Sequence, residues 1–498
     1  MMTKKNDNNR FQIEFNCLDD LVPKDHLVRK IDRAINFDFI YDEVKDLYSA
    51  VGAPSIDPVV LIKIVMIQYL FGIQSMRQTI KEIEVNFAYR WFIGYSFNEK
   101  IPHFSTFSKN YERRFKDTDL FNRIFTKILE EIIKHGFIDL SEVYIDSTHI
   151  KASANKKKYN KVEVEVESKK YQEQLDEEIN KDREAHEKKP LKKNDKPIET
   201  KEVVESTTDK DSGMFYKNEK EKCFAYLAHT ACDNNNYILG FHVTPGNTHD
   251  SVAFNDVFSK INEKYSNDIY AIGIDAGYIT PYICKTLFDN NILPVIPYKR
   301  PMTKDGFFKK YEYVYDELND CYICPNYKVL KYSTTNRDGY KEYKSNPCEC
   351  RNCAFVNQCT NSKVSQKVVT RHVWEEYVEE ANHIRHDAYV KSVYSRRKQT
   401  IERVFADAKE KHGMRYTHLR GLAKLDIMVT LTFACMNLKK FAKRHWLKTG
   451  GYRNNGSVCV NISIFTTKII AKLKNSIFSV RENAICLQSE RDTKRCPF

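Results

Sequence analysis

The sequence predicts an α/β protein: a mixed sheet with flanking helices, preceded by an all-helical region and carrying a small cysteine-rich insertion. Three observations predict it. Residues 1–135 carry helix signals and helical apolar patterning. Strand-like runs alternate with helical runs between residues 143 and 296, the mark of a sheet covered by helices. Six of the 14 cysteines fall between residues 300 and 370, a segment rich in Lys, Tyr and Asn.

In the helical region, Asp57-Pro58 reads as a helix start, with Asp as N-cap and Pro in the first turn. The run Val59–Leu70 is apolar nearly all round, which predicts a buried helix. Ser75 opens the next helix. Beyond a turn at Asn98–Pro102, Ser105 is expected to cap a basic helix carrying Lys109, Arg113 and Arg114. Helix, turn and basic helix resemble a helix-turn-helix DNA-binding unit.

The sheet region opens with the strand-like run Val143–Ile150. A Lys/Glu-rich insertion follows at about 155–222. Within it, Ser168 to Lys189 reads as an exposed helix laced with opposite charges. A hairpin is expected from Cys223–Ala231 and Tyr237–Thr244, then a helix at Ser251–Lys264. A strand at Ile269–Asp275, a helix at Pro281–Asp289 and a strand at Ile292–Ile296 complete the pattern. After the insertion at about 300–370, helices return from about His386 to Trp446. The expected domains are therefore 1–135, 136–445 with its two insertions, and a tail at 446–498.

The chain has 498 residues and a formal net charge of +13, which favours a polyanionic partner. No apolar stretch approaches the ~20 residues that span a bilayer, and the first ten residues lack the apolar core of a signal peptide. The expectation is a cytoplasmic protein with no membrane partner, whose cysteines are reduced thiols or metal ligands.

Three acidic residues stand out. Asp146 interrupts the first strand-like run, Asp275 ends a later one, and Glu402 lies on the basic amphipathic segment Ser395–Lys409. Aspartate is depleted in strands because it competes with the backbone for hydrogen bonds. Two such aspartates and a glutamate bracketed by cations suit a divalent-metal site acting on phosphate. Ile401, Val404, Phe405 and Ala408 form an apolar stripe with Glu402 on its flank. Lys398 and Lys409 share the face of Glu402, four residues before it and seven after.

At this point the chain resembles a bacterial insertion-sequence transposase of the DDE class, with an RNase H-like catalytic core. The motifs that carry the resemblance are Tyr-Ile-Asp146-Ser-Thr-His-Ile, Pro245-Gly-Asn-Thr-His249-Asp250-Ser, Ile274-Asp275-Ala-Gly-Tyr, Arg397 through Glu402 to Lys409, and Leu419-Arg-Gly421. The segment Val22–Phe107 resembles the helical domain that precedes such cores. One departure is visible: Ser395 and Lys398 stand where the resemblance places a Tyr and an Arg, while Tyr394 and Arg397 are each one residue early.

The resemblance implies that Asp146, Asp275 and Glu402 hold Mg²⁺ (or Mn²⁺). Asp146 would bridge two ions, and Lys409, Arg397 and Lys398 would face DNA phosphate. It also implies double-stranded DNA as partner, both the element's terminal inverted repeats and the target, bound by a homodimer. Two other readings stay open: a transposase-derived DNA-binding protein without catalysis, and an RNase H-like nuclease without strand transfer.

The cysteine insertion reads Cys321-x-x-Cys324, then Cys348-x-Cys350-x-x-Cys353-x₅-Cys359. Two Cys-x-x-Cys knuckles ~25 residues apart fit a structural zinc ribbon. Spacing alone pairs Cys321 and Cys324 with Cys350 and Cys353. The resemblance instead points to Cys324, Cys350, Cys353 and Cys359. Unligated thiols and an iron–sulfur centre are the alternatives.

Overall fold

The computed structural model describes residues 15–49, 51–52, 54–165, 171–191, 200–216, 222–300 and 302–450. The N-terminal region is helical: α1 (Leu18–Leu21), α2 (Leu27–Ala34), α3 (Phe39–Val44), α4 (Pro58–Leu70), α5 (Met76–Val85), α6 (Phe87–Ile93), α7 (Ser105–Asn110) and α8 (Leu120–Lys134). The Asp57 carboxylate accepts the amides of Val59 and Val60 at the start of α4, where Pro58 has no amide to satisfy. Ser75 caps α5 in the same way, through the amide of Gln78.

Ser105 differs from the expectation. It is the first residue of α7, and Phe104 stands at the cap without a side-chain bond. From Tyr111 to Phe115 the helix widens into a π turn. The wide turn lets Asn110 and Phe115, five residues apart, both face the core.

Strand β1 (Glu142–Lys151) opens the main sheet. A two-stranded ribbon, β2 (Tyr159–Glu165) with β3 (Thr200–Ser206), flanks α9 (Gln172–Ala185). Then come β4 (Gly213–Tyr216), β5 (Lys222–Asp233), β6 (Ile238–Pro245), α10 (Asp250–Tyr265), β7 (Ala271–Gly273), α11 (Pro281–Asp289) and β8 (Leu293–Val295). The strand order is β4-β5-β1-β7-β8, with β6 also paired to β5. The β6–β5–β1 side is antiparallel and the β1–β7–β8 side is parallel, with α10 and α11 as crossovers.

A second sheet is antiparallel throughout: β9 (Val314–Asp316), β10 (Cys321–Ile323), β11 (Val329–Thr335), β12 (Tyr340–Lys344) and, after the short helices α12 (Pro347–Arg351) and α13 (Val356–Cys359), β13 (Val368–His372). It has its own small core of Tyr313, Tyr322, Leu330, Tyr343 and Val369.

The charged helix α9 is not simply solvated. Leu175 and Ile179 are fully buried against Trp374. Arg183 bonds Thr334 and the Thr335 carbonyl, while His186 stacks on Tyr332 and reaches Asp320 at 2.6 Å. Two apolar residues at i,i+4 are enough to dock one face of a helix that composition alone marks as solvent-facing.

The chain ends its described part with α14 (Glu375–Ile384), α15 (Ala388–Arg396), α16 (Ile401–Lys411) and the long α17 (Leu422–Lys448). Helix α17 ties the helical region to the sheet. Its buried Asn437 side chain bonds both the amide and the carbonyl of Ile238 on β6. Lys439 reaches the carbonyl of Leu70 at the end of α4. One hydrophobic core therefore runs from the N-terminal helices through α17 to the main sheet. Among the described residues, no helix is long and apolar enough to cross a membrane. The expected tail falls, from residue 451 onward, outside the described residues.

Candidate active site

Parallel pairing of β1 with β7 sets Tyr144 opposite Gly273. Two residues further along that register, Asp146 stands beside Asp275. Asp275 follows the end of β7 and opens a 3₁₀ turn, Ala276–Tyr278, so its carboxylate is released from the sheet. Asp146 is still within β1, opposite Thr230 of β5, and is partly covered.

Both carboxylates meet one guanidinium. Arg397 Nη2 lies 2.5 Å from Asp146 Oδ2, and Nη1 lies 3.5 Å from Asp275 Oδ1. The arginine is buried, and its Nε has no hydrogen-bond partner. Its stem passes over Gly273, where an added Cβ would sit 3.9 Å from the arginine Cγ and 2.9 Å from the Tyr144 ring. Burial pushes the Asp146 carboxyl up to about 6. Arg397 opposes this shift, and Asp275 and Asp250 add to it.

Helix α15 is clamped to the start of β1. Arg396 pairs with the buried Glu142 at 2.6 Å, and Glu142 also accepts from Tyr144 and Tyr389. The segment Ser395–Lys409 is not one helix. It breaks between α15 and α16, and the amide of Glu402 reaches back five residues to the Arg397 carbonyl at 3.2 Å. This wide junction absorbs the residue by which Tyr394 and Arg397 stand early, and Arg397 meets both aspartates.

The same break places Lys398 outside α16, so it does not stand one helical turn from Glu402; Lys398 is exposed. The apolar stripe holds: Ile401, Val404, Phe405 and Ala408 are the buried residues of α16. Glu402 is exposed in the first turn of α16, and Lys409 lines a cleft between α4, α16 and α17.

Sequence reasoning missed Asp250 as a neighbour of the aspartate pair. It opens α10, and its Oδ1 is buried 3.5 Å from His229 Nδ1 without a hydrogen bond. Its Oδ2 would lie 3.1 Å from a Cβ at Gly277. Burial holds His229 down to about 4, so the ring beside Asp250 is neutral. The signal was the Asp that follows the hairpin, in Pro245-Gly-Asn-Thr-His249-Asp250-Ser.

The chemistry of the pair suits a divalent cation: the donors are carboxylate oxygens, and both already converge on a cationic group. As the side chains stand, no three His, Cys, Asp or Glu among the described residues are gathered closely enough to hold an ion. This holds for the cysteines too. Cys324, Cys350, Cys353 and Cys359 line one small cavity. Cys321 is instead buried in β10, and Cys348 is exposed. The Cys324 and Cys353 sulfurs accept from the Lys328 amide and the Asn326 side chain.

In the helical region, Lys109 and Arg113 are exposed. Arg114 is turned inward, bonded to Asn110 and lying 4.4 Å over the Tyr48 ring.

Residues 16–113 match the family model of a transposase domain, and residues 323–442 match that of a transposase DDE domain. The chain thus carries transposase domains, the second of the DDE type. Asp146 and Asp275 lie outside both matched stretches, whereas Arg397, Glu402 and Lys409 lie within the second. Domains of this family imply DNA as partner and the use of a divalent metal. No curated protein matches the transposase significantly.

Proposed function

We propose that this transposase binds the ends of its element and catalyses metal-dependent strand cleavage and strand transfer. The observation that carries the reading is the pair Asp146, on β1, and Asp275, just past the end of the adjacent parallel strand β7, sharing one arginine. The antiparallel β6–β5–β1 half joined to the parallel β1–β7–β8 half supports an RNase H-like core. Asp146, Asp275 and Glu402 are the metal ligands in this reading, with Mg²⁺ (or Mn²⁺) as the ion. Held there, the ion supplies Lewis-acid activation of the attacking and leaving oxygens.

The chain's own part is to position. Asp146 stays on the rigid central strand. Arg397 and Lys409 offer cations to phosphate. Lys109 and Arg113 offer positive charge in the helical region, which we read as the end-binding domain, residues 1–135. Residues 136–445 then form the catalytic domain with its two insertions. The four cysteines around one cavity support a structural Zn²⁺ in the second sheet, with thiolate donors suited to zinc and not to Mg²⁺.

The test is incubation of the full chain with Mg²⁺, a duplex carrying the DNA that flanks its reading frame, and a plasmid target. Joined products establish strand transfer. Cleaved ends without joining would reduce the activity to that of a nuclease, and bound but uncut DNA would leave a DNA-binding protein.

A further inference from the structure

We propose that Arg397 and the catalytic metal compete for the same two carboxylates, so that metal loading releases the arginine to the DNA backbone. The inference rests on the metal reading given above. The Arg397 guanidinium touches Asp146 Oδ2 and Asp275 Oδ1, the oxygens through which the pair would hold an ion. A guanidinium and a divalent cation cannot share them. Both are positive, and in a partly buried site their repulsion is weakly screened. One must leave when the other binds.

Three features show that the arginine has somewhere to go. Its Nε–H is buried and bonds nothing, so the fork has a donor unused in the carboxylate-bound position. A phosphate, with oxygens on more than one side, would employ it. The Tyr394 ring lies 5.6 Å from the guanidinium carbon, a face along which the cation can slide. The residue itself sits at the break between α15 and α16, where Thr400 has φ −107° and ψ −99°, far from helical values.

The same junction links the arginine to the third carboxylate. Glu402 is held by its amide to the carbonyl of Arg397. Where release of the guanidinium also shifts the Arg397 backbone, it moves the first turn of α16, on which the exposed Glu402 rides. Linkage makes the coupling reciprocal: whatever metal does for phosphate binding through Arg397, phosphate does for metal.

The test uses the full chain and Mn²⁺ alone, followed by paramagnetic resonance at pH 8 without DNA. Arg397→Ala and Arg397→Gln should bind Mn²⁺ about tenfold more tightly than the parent, within the ~5–150-fold range of such couplings. Arg397→Lys should fall between. A second arm measures binding to a short duplex of arbitrary sequence. Mn²⁺ should strengthen it in the parent and leave it unchanged in Arg397→Gln. A third needs no variant: phenylglyoxal labelling of Arg397, read by mass spectrometry, should rise when Mn²⁺ is added to the parent.

Equal or weaker Mn²⁺ binding by the neutral variants overturns the proposal, since a purely structural ion pair would give that result. Unchanged labelling of Arg397 overturns it too, even if the variants fail to fold. Asp146→Asn separates the two levels. If it binds Mn²⁺ as well as the parent does, the metal reading itself falls; if it does not, only the competition is at stake.

Discussion

The amide of Glu402 donates to the carbonyl of Arg397, five residues back, at 3.2 Å. An α-helix would use a residue four back. The junction thus holds one residue more than a continuous helix, taken up between Lys398 and Thr400.

An absorbed residue can be removed. Deleting Gln399, which is exposed, should close the junction to an ordinary turn while α15 and α16 keep their separate anchors on the sheet. We expect the melting temperature and cleavage rate to stay close to the parent, with stability changed by about 1 kcal/mol or less. A drop in cleavage beyond a hundredfold in a folded protein would mean that the extra residue itself aims Arg397.

Asp146→Asn, Asp275→Asn and Glu402→Gln should each abolish strand cleavage while leaving DNA binding intact. The amides keep the shape and lose the charge that retains the ion. Cleavage at the parent rate by any one of them in Mg²⁺ removes that residue from the metal site.

Lys109 and Arg113 are exposed, whereas Arg114 is turned onto Tyr48. Lys109→Ala and Arg113→Ala should therefore weaken DNA binding and lower the salt dependence by about one unit of slope each. Arg114→Ala should instead destabilise the fold, by about 1 kcal/mol from the lost stacking, with little change in slope. Gel shifts at several salt concentrations, paired with thermal melts, decide. The reverse pattern would place DNA on the other face of this segment.

His412 and His229 are both held down to about 4 by burial. Folding therefore disfavours their charged forms relative to the unfolded chain. Their contribution is complete above about pH 6.5 and is lost as the pH falls toward 4, on the order of 3 kcal/mol for each. His412 bonds the carbonyl of Tyr69 in α4 at 2.7 Å, so acid should loosen the seam between α4 and α16. Melting should fall steeply from pH 6.5 to 4, and His412→Asn should be weaker at pH 7 but flatter across that range. An unchanged slope in the variant would take His412 out of the account.

Metal analysis of the purified chain should find about one zinc, lowered by Cys350→Ser or Cys353→Ser. Those variants should lose protease resistance first within the second sheet, whose own core is small. A zinc-free protein with the parent digestion pattern would mean that the cysteines lining this cavity are plain thiols.

Five of the six strands of the main sheet were legible from their apolar residues, while β4 fell inside the segment read as a charged insertion. Asp146 and Asp275 were legible from being polar where strands are not. Their adjacency follows from the parallel register, which sequence spacing does not encode. Arg397 was harder. It stands one residue earlier than the resemblance places an Arg, and the wide junction brings it onto both aspartates. Asp250 was hidden for another reason: an aspartate at a helix start is commonplace, and its nearness to Asp146 depends on the crossover of α10. Helix α9 misled through composition, since Leu175 and Ile179 are two residues among many charges.

Helix α17 has a consequence for how the chain is made. The Cys435 thiol meets the carbonyl of Met66, a contact that spans 369 residues of sequence. Thr430 reaches Asn122 across 308. On the ribosome, the first eight helices emerge with the surface destined for α17 still bare. At about 5–20 residues per second that surface waits on the order of tens of seconds for its cover. Until α17 leaves the exit tunnel, the nascent protein carries an open apolar seam of the kind that chaperones hold.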